Sequence, residues 1–177
     1  ESIFRLTLTH LANADNKERP MYYVDHLKNK PRTMPYLDCG TSGVALAFIE
    51  VYKDGNESME FLNEEFLRRL SQGSDMVCTF NGGLFGGYVG LLPAAIALRD
   101  LGIDDELWER IIDGLNLYLM KNHGNIVFPG LYGYKCSMDL GTGSAGVLLA
   151  LSDSERSGEW GSWMPVLENE DFSLFRV

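Results

Sequence analysis

Three stretches of the chain pass from a small, polar loop straight into a segment that is apolar all round. They are YLDCGTSGVALAFIEVY (36–52), GLFGGYVGLLPAAIAL (83–98) and MDLGTGSAGVLLAL (138–151). In the first, Gly40 and Gly43 flank Thr41 and Ser42, and Val44 to Ile49 then run without a polar residue. A helix with no polar face must be buried on every side. In the second copy Pro93 falls in the first helical turn, where a missing N–H costs little.

Each of the first two copies is followed by a segment of the opposite kind. SMEFLNEEFLRRLSQG (58–73) puts Met59, Leu62, Phe66 and Leu70 on one face, with Glu and Arg opposite, and predicts a surface helix ending at Gly73. DDELWERIIDGLNLYLMKNHG (104–124) carries the stripe Leu107, Ile111, Leu115 and Leu119, with Asp104 as N-cap and Gly124 as stop. The interval from Gly90 to Gly146 exceeds that from Gly43 to Gly90. The excess falls in NIVFPGLYGYK (125–135), which reads as a hairpin or an irregular apolar loop turning at Gly130 and Gly133. Helical-hairpin repeats, each an inner apolar helix and an outer amphipathic one, account for the pattern. The fold expected is all-α, a partial α/α toroid with a short β-hairpin-like insertion.

The ends are less regular. SIFRLTLTHLANA (2–14) fits a helical face through Phe4, Leu8 and Leu11 better than a strand. Residues 13–35 read as a long loop with Pro20, Pro31 and Pro35, and MYYVDHL (21–27) within it as a short strand. The tail, 154–177, holds Trp160 and Trp163 and is expected to pack down. The chain opens at Glu1 in what already reads as a periodic segment, which points to a piece of something longer.

Bulk properties narrow the function. At 177 residues there is room for one domain with a sizeable core. A formal net charge of −10 argues against a nucleic-acid or anionic-membrane surface, since both need clustered Lys and Arg. The longest apolar runs reach about ten residues, half of a bilayer span. Three cysteines (Cys39, Cys78, Cys136), with no C-x-x-C spacing, read as reduced thiols in a cytoplasmic protein.

The motifs PYLDCGTSGVALAFIEVY (35–52), FNGGLFGGYVGLLPAAIAL (80–98) and CSMDLGTGSAGVLLAL (136–151) resemble the last three repeats of the lanthionine synthetase C-like cyclase domain. They are most similar to the version at the C-terminus of class III (kinase–lyase–cyclase) lanthipeptide synthetases. The resemblance covers roughly residues 35–152, the C-terminal half of a domain about twice this length. It implies an α/α toroid that closes thioether rings by adding a peptide cysteine thiol to a dehydrated residue. It also implies a precursor peptide and the kinase and lyase domains of the same synthetase as partners. The kinase motifs are absent here, so ATP or GTP would belong only to a kinase domain outside this chain. A half ring would expose apolar faces of its inner helices, which predicts self-association or covering segments.

Zinc-dependent members of that family carry a Trp-Cys-x-Gly ligand motif in one repeat and a Cys-His-Gly pair in the next. Aligned on the glycines, those ligand positions fall on Asp38, Phe85 and Gly86, with Cys39 one residue out of register. Phe and Gly offer zinc no donor, so no metal cofactor is expected, as in the class III branch. Without zinc, a base must take the thiol proton and a donor must quench the enolate. Asp38 and Asp139 are the candidate bases; Lys135 and Tyr36 are the candidates to stabilise or protonate the enolate. Each has a structural alternative: Asp38 and Asp139 as carboxylates accepting N–H bonds near a helix start, Tyr36 as a packed aromatic, Cys39 as a small buried residue. His10, His26 and His123 lie outside the glycine loops, and His123 reads as a cation at a helix C-terminus.

Two other readings stay open at this stage. A toroidal glycoside hydrolase needs paired carboxylates beside aromatic platforms; Trp160 and Trp163 are present, but no acid pair sits at the loops. A non-catalytic half ring would bind the precursor peptide or support its kinase and lyase neighbours.

Overall fold

The computed structural model describes residues 23–25, 30–32, 35–38, 40–53, 63–133 and 135–154. The expected helix at 2–14 and the tail with Trp160 and Trp163 lie outside the described residues, as does Cys39. The elements run β1 (Tyr23–Asp25), β2 (Lys30–Arg32), α1 (Thr41–Lys53), α2 (Glu64–Ser74), α3 (Leu92–Asp100), α4 (Glu106–Gly114), β3 (Met120–Asn122), β4 (Asn125–Val127) and α5 (Ser144–Ser154). A 3-10 turn at Tyr88–Leu91 leads into α3, and another at Leu115–Tyr118 leads out of α4. The described residues are mostly helical. Two small antiparallel ladders accompany the helices: β1–β2, whose first strand lies in the segment expected to form one, and β3–β4, which begins the expected hairpin-like insertion.

The central helix α3 carries the core. Leu92 to Leu98 are all buried, including Pro93 in its first turn. Helix α1 packs on one side of α3 and α5 on another, while α2 and α4 lie against α1 and α3. The amphipathic helices seat only one stripe. Leu67 and Leu70 of α2, and Leu107 and Ile111 of α4, are buried, with Leu115 just beyond α4 continuing the second stripe. Asn63 starts α2 by accepting the Phe66 N–H at 3.0 Å, a normal N-cap. Phe66 meets Phe48 of α1 edge to face, at 5.2 Å between ring centres. Asp104 caps α4 as expected, its Oδ1 accepting N–H groups from Glu106 and Leu107 at 3.2 and 3.0 Å. The flanking inner helices are less enclosed than α3: Ala47 of α1 and Leu148 of α5 are exposed.

One boundary differs from the sequence expectation. The second amphipathic segment does not run to Gly124. It leaves the α-helix after Gly114, and residues 120–127 fold as the β3–β4 hairpin. His123 and Gly124 both have positive φ (48° and 83°), the requirement of a two-residue hairpin turn. His123 is therefore a turn residue, not a helix C-terminal cation. The expected insertion begins five residues early, and a second small hairpin follows it. There Pro129 bridges Cys136, and Gly133 N–H donates to the Gly130 carbonyl at 2.9 Å.

The three loop–helix copies share one close contact. A Cβ on Gly43 would overlap the carbonyl oxygen of Leu37; one on Gly90 that of Leu84; one on Gly146 that of Leu140. In every copy a leucine carbonyl six residues upstream presses on the glycine in the first helical turns, so the repeat is L-x-x-G-x-x-G. Only glycine fits there. Gly90→Ala is expected to cost about 3 kcal/mol through overpacking. Gly102→Ala, with positive φ but open space around it, should cost about 1 kcal/mol through backbone strain alone. Urea unfolding of the two variants measures the contrast, read as midpoint shifts at constant slope.

Candidate functional site

The three glycine loops lie against one another. Asp38 N–H donates to the Phe85 carbonyl at 3.4 Å, and the N–H groups of Leu84 and Phe85 both donate to the Gly141 carbonyl, at 2.9 and 3.1 Å. Asp38, Phe85 and Gly141 hold the same place in their copies, five residues before the crowded glycine. The buried Ser42 hydroxyl ties the start of α1 to the Gly90 carbonyl at 2.7 Å. Ser144, at the start of α5, accepts the Phe128 N–H at 2.9 Å. The helix starts thus share one end of the molecule, with loop two in the middle.

The sequence candidates distribute unequally over this end. Asp38 is exposed, and its carboxylate makes no hydrogen bond or ion pair among the described residues. Its Oδ2 stands 3.9 Å from where a Cβ on Gly86 would be. Gly86 therefore adjoins the carboxylate, and a Cβ there would make only ordinary contact with it. Tyr36 is half-buried and Lys135 exposed; the Lys135 carbonyl closes the small hairpin by accepting the Gly130 N–H at 2.9 Å. No side-chain contact joins Tyr36, Asp38, Lys135 and Asp139 to one another among the described residues.

Asp139 has the structural role that the sequence reading held open for it. Its carboxylate accepts the Ser137 hydroxyl, the Thr142 N–H at 2.6 Å, and the Thr142 hydroxyl at 3.1 and 3.0 Å on its two oxygens. These donors, Ser137 first and then the Thr142 N–H, hold its carboxyl down at about 2. Such a carboxylate is a weak base.

Loop two is braced from inside by Asn81, which the sequence reading passed over. The available signal was an amide directly before Gly82 and Gly83, a pattern typical of side-chain-to-backbone turns. Tyr88 follows the loop and is buried. Its hydroxyl reaches Gly114 of α4, and its ring lies 5.3 Å from that of Tyr118. Burial pushes the Tyr88 phenol up, with Tyr118, Asp75 and Cys78 adding to the effect. The Tyr118 hydroxyl in turn accepts the Thr79 N–H and donates to the Thr79 carbonyl, at 2.6 and 2.8 Å. Beside this, Phe80 and Tyr132 form an exposed edge-to-face pair 5.6 Å apart, with Tyr132 held at a φ of 68°.

The zinc positions implied by the resemblance can be tested against this geometry. Asp38, Phe85 and Gly86 adjoin in space, yet Asp38 alone among them has a donor side chain. Among the described residues no three His, Cys, Asp or Glu side chains stand close enough to hold a metal ion. Two of the three positions, Phe85 and Gly86, thus offer zinc no donor.

No protein-family model matches the chain. A curated protein of Streptomyces coelicolor named "Probable SapB synthase" is 28% identical over 126 residues, covering 68% of this chain. The chain spans 13% of that relative's length. The match hints at a relation to that synthase. No helix among the described residues is long and apolar enough to cross a membrane.

The Asp139 bonds have a pH signature. Its carboxyl lies below the ordinary aspartate value of 3.8, so these bonds stabilise the fold above about pH 4, and the contribution is lost as pH falls through about 2. The group is exposed, so water keeps the effect modest. Asp139→Asn should melt below the unsubstituted protein at pH 6, and the gap should close between pH 4 and pH 2. A series of thermal melts across that range checks both the sign and the window.

Proposed function

We propose that the chain is the cyclase portion of a lanthipeptide synthetase of the class III type. It closes thioether rings, of lanthionine or labionin type, by zinc-independent Michael addition of a peptide cysteine thiol to a dehydrated residue. The observation that carries the reading is the stack of three L-x-x-G-x-x-G loops. Within it the family's ligand positions adjoin and Asp38 is the lone donor. The relation to a probable SapB synthase supports the same theme. On this reading the repeats form part of an α/α toroid in the cytoplasm. The precursor peptide and the kinase and lyase domains are its partners. The exposed faces of α1 and α5 would be covered by further segments or by self-association.

The chemistry assigned to the loops balances without a redox step. The Asp38 carboxylate takes the thiol proton, since a free thiol is only a few per cent ionised near neutral pH. The thiolate sulfur bonds to the β-carbon of the dehydrated residue, and the double-bond electrons move onto the adjoining carbonyl as an enolate. Lys135 or Tyr36 stabilises the enolate, and the α-carbon then takes up a proton. Asp139, held at about 2, braces loop three rather than accepting the thiol proton. The single donor at the ligand positions also favours a second reading, a scaffold that binds precursor peptide without closing rings.

Asp38→Asn decides between them. In the intact synthetase, loss of a general base should slow ring closure by about a hundredfold or more, leaving a dehydrated peptide with free thiols on mass spectrometry after thiol alkylation. Unchanged ring formation would favour the scaffold. Elemental analysis of the purified protein should find no stoichiometric zinc, and one zinc per chain would overturn the zinc-independent route.

A further inference from the structure

We infer that Asn81 is the positioning residue of the Asp38 carboxylate, holding from inside loop two the backbone against which that carboxylate lies. The inference rests on the ring-closing reading above and assigns it a second residue.

Asn81 is 5% exposed, and both ends of its amide are used. Its Oδ1 accepts the Gly83 N–H at 2.8 Å, and its Nδ2 donates to the Gly86 carbonyl at 3.2 Å. Its own carbonyl accepts the Tyr88 N–H at 2.8 Å and the Thr79 hydroxyl at 2.7 Å. One side chain therefore spans the loop from Gly83 to Gly86, and its backbone anchors both flanks. A Cβ on Gly83 or Gly87 would run into the Asn81 Oδ1, so the glycines of loop two fold tightly around this amide.

The link to Asp38 is short. Phe85, immediately before Gly86, accepts the Asp38 N–H, and Gly86 is the residue that adjoins the Asp38 carboxylate. Gly86 and Gly87 are adjacent glycines, so the peptide between them has little intrinsic preference. Released from Asn81, it is free to turn its carbonyl toward the Asp38 anion, where like partial charges repel. Held by Nδ2, the carbonyl is committed to Asn81.

Loop three shows which part of this role is structural. Ser137 stands where Asn81 does, nine residues before the crowded glycine. Its Oγ accepts the Asp139 N–H at 3.3 Å, the counterpart of the Asn81–Gly83 bond. Its other contact is to the Asp139 carboxylate, not across the loop. A serine thus suffices to make the turn, and only an amide makes the tie to Gly86.

Asn81→Ser separates the two roles. It keeps an acceptor for Gly83 N–H and drops the Gly86 bond; Asn81→Asp also keeps that acceptor but, when ionised, sets a carboxylate oxygen against the Gly86 carbonyl and breaks the tie by repulsion. Both variants, with Asp38→Asn beside them, are assayed in the intact protein on a synthetic peptide holding one cysteine and one dehydroalanine. Expected for both Asn81 variants is a kcat about tenfold lower with KM unchanged, and a melting point within about 4 °C of the unsubstituted protein. Wild-type kcat in either Asn81 variant, with Asp38→Asn inactive, overturns the role of Asn81 and leaves the ring-closing reading standing. Wild-type kcat in Asp38→Asn overturns that reading and this inference together. Loss of kcat tracking a large loss of melting temperature in both variants marks Asn81 as a folding residue only, and also overturns the inference.

Discussion

The structure depends on a contact in which nothing fits except a hydrogen atom. In each copy of the repeat, a leucine carbonyl turns in against the backbone of a glycine six residues later, at the start of a buried helix. A side chain at that glycine would push the loop away from its helix. Without one, the loop folds flat over the helix start and becomes narrow enough to lie against the next loop. Leu84 and Gly90 show the consequence on both sides: a Cβ on Gly90 would also press on Leu37 of loop one, and Gly146 meets the Leu84 side chain. The contact inside one copy and the stacking between copies are thus one constraint. Burial of α3 from Leu92 to Leu98 follows, because two neighbouring helices pack against it.

Much of this was legible from residue type. The run Leu91 to Leu98 has no polar side to give to water, and its burial could be read directly; the same pattern at Val44 to Ile49 overstated burial, since Ala47 is exposed. The small residues before them signalled a close approach. The leucines of the motif were not legible, because Leu37, Leu84 and Leu140 look like ordinary apolar residues and act through their carbonyls. The end of the second amphipathic segment was misread for a related reason. Leu115 and Leu119 continue the helical spacing, so the pattern runs on toward Gly124. The chain turns away earlier, where the Tyr118 hydroxyl is committed to both backbone groups of Thr79, and His123 with Gly124 then supplies the left-handed pair that a hairpin demands. Periodicity records which side chains are apolar; it carries no record of a hydrogen bond to a residue 39 positions away.

The two aspartates show how register, rather than residue type, separates structure from chemistry. Both precede a crowded glycine and both were candidate bases. Asp139 sits seven residues before its glycine, where the loop curls back and brings the Ser137 and Thr142 donors onto the carboxylate. Those bonds stabilise the charge and reduce its appetite for a proton. Asp38 sits five residues before its glycine, at the place that faces the neighbouring loop rather than its own. Its N–H is taken by Phe85, while its carboxylate, near Gly86, makes no hydrogen bond or ion pair among the described residues. A two-residue offset in one motif is enough to move the same side chain from a brace within its own loop to an exposed place beside the next.

That fifth place forms a line through the stack: Asp38, Phe85, Gly141, each joined to the next through the backbone. Backbone bonding of this kind is indifferent to the side chains it carries. The loops can therefore keep their stacking whichever side chains the line carries, here those of Asp, Phe and Gly. The glycines and the leucine carbonyls hold the loops together without help from the side chains at Phe85 and Gly86. Here the line carries one carboxylate, and on the proposed ring-closing reading its activity would depend on how firmly Asn81 holds the middle loop from inside.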